Sequence, residues 1–313
     1  MITWALGIIL VTVVVLAVLS PLESARWWAD RGEVEIRRTF DHLPAREVVD
    51  GDDAEAYLVY LSGVGDVGGN QLLDRETAWL ETLRVALPAT RVIADVFPYS
   101  VDNRGLLQRA TERLWAWLDQ GRRTRRLKGL HMLINARNVL HVLVSADPRY
   151  GPAHNIGLAQ EIWRSLQRHG YRPGSGRRVF LVGYSGGGQM SLGSAWFLAG
   201  AGVPISIISI GGVFGDDPGL DRIDHLWHLT GSADRVQLIG PVAFPGRWPT
   251  APLSSWGRAV REGRVTRRII GGMRHDGAQA YFGRRAVAED GRTYAEVTRD
   301  AVAEIVEGVV AGR

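Results

Sequence analysis

The chain contains no cysteine, which excludes disulfides, thiolate-ligated zinc, cysteine nucleophiles and thiol redox chemistry together. That absence does not fix a compartment, because a domain of this size can bury most of its apolar surface without covalent staples. Lysine is nearly missing as well: among 37 basic residues only Lys128 is one. We read the arginine excess as a trace of GC-rich coding and give it little functional weight. The 33 acidic residues are interspersed with the basic ones for a net charge of +4, and no nucleic-acid-binding motif accompanies them, so no nucleic-acid partner is expected. No His-Glu-x-x-His or comparable cluster occurs among the 8 histidines, so neither a catalytic metal nor a cofactor is predicted. Internal repeats and low-complexity tracts are absent.

What is present is the composition of a folded protein, with 46% hydrophobic and 22% charged residues over a length of 313, enough for one large domain plus an appendage. The appendage is the run from Ile2 to Leu22, which carries no charge. At ~1.5 Å per residue such a helix spans roughly the ~30 Å hydrocarbon layer. Pro21 breaks it, and Trp27-Trp28 follow where an interfacial belt would sit. A cleaved signal peptide and a buried helix are the competing readings. The run lacks the basic n-region and small-x-small site of the first, and its terminal position and all-round apolarity oppose the second. We therefore expect residues 1–22 to be a single-pass transmembrane anchor and residues 23–32 a juxtamembrane linker. Arg26, Arg31, Arg37 and Arg38 would place the remainder on the cytoplasmic side if the positive-inside rule held alone; the side stays open.

From residue 33 onward the pattern alternates between strand and helix. Short strands are predicted at Glu33–Arg37 and Arg46–Asp50, followed by a β-rich run at Ala56–Leu61, a helix over Asp74–Leu87 and a strand over Arg91–Phe97. Residues 103–150 break the rhythm and are read as a helical insertion, with helices at Leu106–Leu118 and Leu130–Val144 around the basic cluster Arg122–Lys128. Then follow a helix (Asn155–His169), a strand (Arg178–Gly183), a helix (Gly186–Ala199), strands at Pro204–Ile210, His225–Thr230 and Arg267–Ile270, and a closing helix (Thr293–Val310). Such alternation predicts an α/β domain over 33–313, with a mostly parallel central sheet and helices on both faces.

One turn in this series carries chemistry. The apolar strand Val179-Phe180-Leu181-Val182 runs into Gly183-Tyr184-Ser185-Gly186-Gly187, and a helical stretch follows at once. In G-x-S-x-G the serine occupies a sharp, strained turn, and the positions two before and two after it must be small for strand and helix to approach. Ser185 would thereby stand clear at the sheet's carboxyl edge, above a helix N-terminus that favours negative charge.

With this elbow, the chain from about Glu33 onward resembles the α/β-hydrolase superfamily. The resemblance implies that the partners follow the serine, acid first and histidine last. Gly231-Ser232-Ala233-Asp234-Arg235-Val236 lies just past a strand and looks like the acid loop, with Asp217, past the preceding strand, as the fallback. His275, in Gly271-Gly272-Met273-Arg274-His275-Asp276-Gly277, is the only histidine after Asp234. Its implied role is to take the proton from Ser185 and return it to the leaving group, while Asp234 holds the ring and stabilises the imidazolium. Acyl transfer also needs donors for the tetrahedral oxyanion. The backbone N–H of Gly186 is one. The other is expected from Ser62-Gly63-Val64-Gly65, with Val64 leading and Gly65 the alternative; Ser62 stands where the family often has histidine.

These readings make the chain a serine hydrolase acting through an acyl-enzyme, with carboxylic ester hydrolysis first among the activities the resemblance implies. A peptidase, thioesterase or acyltransferase on the same residues is the alternative, and a non-catalytic membrane-anchored scaffold is the reading from another class. A lipid-like ester substrate follows only from the expected nearness of a bilayer. Leu106, Leu107, Trp115, Trp117, Leu118, Met132, Leu133, Ile134 and Leu140 either line an acyl pocket or pack two helices together, and helical stripes favour packing. The five charges of Arg122–Lys128 form either a solvated turn or a contact with anionic headgroups.

Overall fold

The computed structural model describes residues 54–64, 72–98 and 130–312, with the backbone alone for 130–137 and 153. The expected anchor and linker, the strands at 33–37 and 46–50, the helix at 106–118, the basic cluster and Gly65 lie outside the described residues. Among the described residues no helix is long and apolar enough to cross a membrane.

The core is a six-stranded sheet in the order β2-β1-β3-β4-β5-β6, with every neighbouring pair parallel. The strands are β1 (Ala56–Leu61), β2 (Thr90–Ile93), β3 (Arg178–Tyr184), β4 (Ile205–Ile210), β5 (Leu226–Gly231) and β6 (Val265–Gly271). β1 and β4 are buried along their whole length, and β3 is buried after Arg178. Continuous apolar runs such as Val179-Phe180-Leu181-Val182 mark strands covered on both faces, where alternation would leave one face wet. Two apolar clusters accordingly sandwich the sheet. Helices α1 (Asp74–Ala86) and α7 (Tyr294–Val310) close over Leu58, Tyr60, Phe180 and Val182. On the other face, α3 (Gly151–Arg168), α4 (Gly187–Gly200) and the end of α2 (Leu130–Ala146) pack on Tyr57, Val59, Leu181 and Ile207. Each fully buried aliphatic or aromatic side chain contributes roughly 1.5–3 kcal/mol of transfer free energy.

Local signals fix the ends. α7 begins at a capping box in which Thr293 accepts from the Glu296 N–H and Glu296 reaches back to the Thr293 N–H, satisfying two orphan donors at once. β2 is shorter than the run from Arg91 to Phe97 suggests, because its pairing with β1 ends at Val59↔Ile93. The stretch from Leu130 forms one helix reaching Ala146. Between β5 and β6 the chain makes two short helices, α5 (Ile239–Ala243) and α6 (Ser255–Arg261), that the periodicity does not announce. The β5–β6 ladder is regular from Leu226↔Val265 to Thr230↔Ile269, then slips so that Gly231 faces Gly271. One extra residue, Ile270, is accommodated there as a bulge.

Candidate functional site

Ser185 stands between Tyr184, the last residue of β3, and Gly186, the N-cap of α4. It is the only non-glycine among the described residues with positive φ, at 54°, a conformation that costs an L-residue roughly 1–2 kcal/mol. The turn is tightly enclosed. A methyl group on Gly183 would overlap the Gly187 carbonyl, and one on Gly187 would overlap the Leu61 carbonyl oxygen. These are the two small positions that the elbow demands. The backbone is held on the other side by Ser185 N–H to the Ile210 carbonyl at 3.1 Å and Val213 N–H to the Ser185 carbonyl at 3.0 Å.

Three loops beyond the carboxyl ends of β3, β5 and β6 meet here. Ser185 Oγ lies 2.8 Å from His275 Nε2, and His275 Nδ1 lies 3.0 Å from Asp234 Oδ2. All three residues are buried. Asp234 Oδ1 accepts the backbone N–H of Val236 at 2.9 Å and of Gln237 at 3.3 Å, while Oδ2 accepts the Tyr281 hydroxyl at 2.7 Å. Burial pushes the Asp234 carboxyl up, but the hydrogen bonds from His275 and Tyr281 outweigh it, and its pKa falls below the ordinary carboxylate value. An ionised Asp234 is acceptor-only. It therefore selects the His275 tautomer with hydrogen on Nδ1, leaving the Nε2 lone pair for the Ser185 hydroxyl.

Two tyrosines complete the site, and neither stands in a spacing that a motif would pick out. Tyr281 donates to Asp234 and accepts the Gly231 N–H at 2.8 Å. Burial and the Asp234 carboxylate raise its pKa, so it stays a donor. Tyr184 stacks on the His275 ring with centroids 5.5 Å apart, and its hydroxyl donates to the His275 carbonyl. Its place next to the nucleophile in G-x-S-x-G was the only available signal. Tyr281 offered none.

The loop after β1 abuts the nucleophile: a methyl group on Gly63 would stand 2.9 Å from Ser185 Cβ. Val64 follows directly, half-buried against the core, and Gly186 caps α4, so both expected oxyanion donors belong to segments touching Ser185. The fallback acid is engaged elsewhere. Asp217 Oδ2 accepts from Gln189 Nε2 at 2.7 Å and Oδ1 from the Gly219 N–H at 2.8 Å. Burial raises its pKa to about 7 against those two bonds.

Asp217 borders a cavity of about 410 Å³ beside α4, lined also by Asn155, Trp196, Phe197, Asp216 and Arg258. It contains none of Ser185, Asp234 or His275. Of the residues considered as pocket walls, Leu140 is 60% exposed, and the remainder fall outside the described residues or have undescribed side chains. The strand histidines point to opposite environments: His225 Nε2 meets Thr266 Oγ1 at 2.8 Å near the surface, whereas buried His228 meets Ser209 Oγ at 3.2 Å. Burial lowers the His228 pKa to about 3, with Arg247 adding to the shift, so the ring is neutral. Among the described residues no group of three or more His, Asp or Glu is arranged to hold a metal ion.

No protein-family model matches the chain, and no curated protein matches it significantly.

Proposed function

We propose that the protein is a serine hydrolase with an α/β-hydrolase fold, acting on a carboxylic ester through an acyl-enzyme on Ser185. The observation that carries this is the continuous hydrogen-bond chain from Ser185 Oγ through His275 to Asp234 Oδ2, built on a serine held at positive φ. A serine serving only as a turn residue has no use for that conformation, which glycine adopts without strain. The parallel strand order and the succession Ser185, Asp234, His275 fit the same reading.

In the reaction, His275 Nε2 takes the hydroxyl proton as Ser185 Oγ bonds to the ester carbonyl carbon. The carbonyl π electrons move to oxygen, and the oxyanion is met by the Gly186 and Val64 N–H groups, aided by the N-terminus of α4. Asp234 stabilises the imidazolium, whose proton then goes to the departing alkoxide as the carbon–oxygen bond breaks. Water repeats the sequence on the acyl-enzyme, delivering a carboxylic acid and restoring the serine.

Residues 1–22 would hold this domain at a membrane as a single-pass anchor, which makes a lipid-like ester the natural substrate class. Ester is preferred to amide or thioester on the superfamily's habits alone. The test is fluorophosphonate labelling of the purified protein. The expected result is covalent capture that disappears in Ser185→Ala, with ester turnover falling at least ~10⁴-fold. Folded protein that resists capture would point to a scaffold instead.

A further inference from the structure

Helix α2 belongs to the insertion, yet one of its faces is directed at the nucleophile's surroundings. Asn138, Val142 and Ser145 are buried, while Val139, Leu140 and Leu143 are exposed. Steps of four and three residues put the first group on one side of the helix. Val142 joins the apolar cluster that also contains Leu61 and Leu192. Ser145 ties down the end of the helix: its Oγ lies 2.7 Å from Asn155 Oδ1, and Asn155 Nδ2 donates to the Ser145 carbonyl at 3.2 Å. About two turns earlier, Asn138 Nδ2 donates to the Val64 carbonyl at 2.9 Å. The orientation of this amide follows from chemistry, because a carbonyl oxygen can only accept. Asn138 is 2% exposed, so its amide has little access to competing water.

Val64 needs such a tie. It stands between Gly63 and Gly65, and glycines leave a chain free to take many backbone conformations. A donor fixed on the Val64 carbonyl restricts ψ at that residue and, through it, limits how the preceding Gly63–Val64 peptide can turn beside Ser185. We propose that Asn138 is a positioning residue for acyl transfer: it keeps the Val64 main chain aimed at the oxyanion that forms over Ser185. Donors of this kind act because they are in place before charge develops, and a misplacement of ~1 Å can cost ~10²-fold in rate. The insertion thus contributes to the rate as well as to whatever pocket it walls. The inference rests on the serine-hydrolase reading.

The test uses the full-length protein in detergent micelles with p-nitrophenyl acetate and butyrate, kcat being normalised to sites titrated by a fluorophosphonate. Asn138→Leu keeps the bulk and removes the donor. Its kcat is expected to fall ~10- to 100-fold with KM changing less than ~2-fold, and a trifluoromethyl ketone, which mimics the tetrahedral adduct, should weaken by a similar factor. Val142→Ala loosens the same helix face while leaving the Asn138 amide in place, and should leave kcat within ~3-fold. If Asn138→Leu yields no titratable sites, Asn138→Asp is read in its place, with the same split between kcat and KM expected. An unchanged kcat per titrated site, a loss that resides in KM, or an equal loss in Val142→Ala would overturn the role of Asn138 while leaving the hydrolase reading intact. Wild-type protein without Ser185-dependent capture would overturn both.

Discussion

Asp217 and Asp234 lie beyond the carboxyl ends of adjacent parallel strands, β4 and β5, and both are buried, yet they titrate in opposite directions. Asp234 is drawn below the ordinary carboxylate range by His275 and Tyr281 in spite of its burial. In Asp217 burial prevails over the Gly219 N–H and the Gln189 amide, and the value rises to about 7. The difference lies in depth as well as in partners, since Asp217 is the more deeply enclosed by surrounding atoms. An imidazole that can become cationic repays a carboxylate's lost hydration, whereas two neutral donors repay only part of it. A place at the sheet's rim therefore does not make a carboxylate the acid of a proton-transfer chain. Asp217 is the structural counterpart, capping the turn at Pro218–Asp221 and fastening it to α4 through Gln189.

The most severe way to break this contrast is to neutralise each acid in turn and follow ester turnover. Asp234→Asn should cost about 10³–10⁴-fold in kcat, since the amide favours the wrong imidazole tautomer, while Asp217→Asn should stay within ~3-fold. Equal losses would show that Asp217 shares the catalytic role. A finer cut is Tyr281→Phe. It leaves the buried Gly231 N–H without its hydroxyl partner, and we expect it to lower stability by about 1–3 kcal/mol in chemical denaturation and kcat by up to ~10-fold.

The gentlest test is stability against pH. Asp217 is protonated in the fold but ionised in the unfolded chain between the ordinary carboxylate range and pH 7, so folding takes up a proton there. Its contribution is complete below that window and is lost as pH rises through about 7. For Asp234, with its lowered pKa, the contribution is present above the ordinary carboxylate range and disappears as pH falls. Melting temperatures from pH 5 to pH 8 should therefore fall for the wild type relative to Asp217→Asn, by a few degrees. Parallel curves would mean that Asp217 is ionised throughout.

How far the sequence announced these features depends on the range of the forces involved. The elbow was legible because its constraint is local: Gly183 and Gly187 must be small wherever a strand turns this tightly into a helix, and both would overlap backbone atoms if substituted. Ser185, Asp234 and His275 could be named from loop position together with the chain order that the resemblance implies. β1 and β3 were legible for the same reason, as uninterrupted apolar runs between turn residues. Tyr281 and Asn138 were not. Their partners lie 47 and 74 residues away along the chain, and no spacing rule connects a hydroxyl to a carboxylate, or an amide to a main-chain carbonyl, at such distances. The short helices α5 and α6 escaped because five to seven residues give too few turns for a periodic signal.

The slip at the end of β5 and β6 sets the phase of the whole rim. With Ile270 left over, Gly271 stands level with Gly231, and everything from there to His275 is held back about one residue, roughly 3.3 Å, from where an uninterrupted ladder would carry it. Straightening that strand without shortening it would make a neater sheet that carries the histidine loop beyond its place beside the serine. The defect in the pairing absorbs the surplus residue and so keeps the histidine ring within reach.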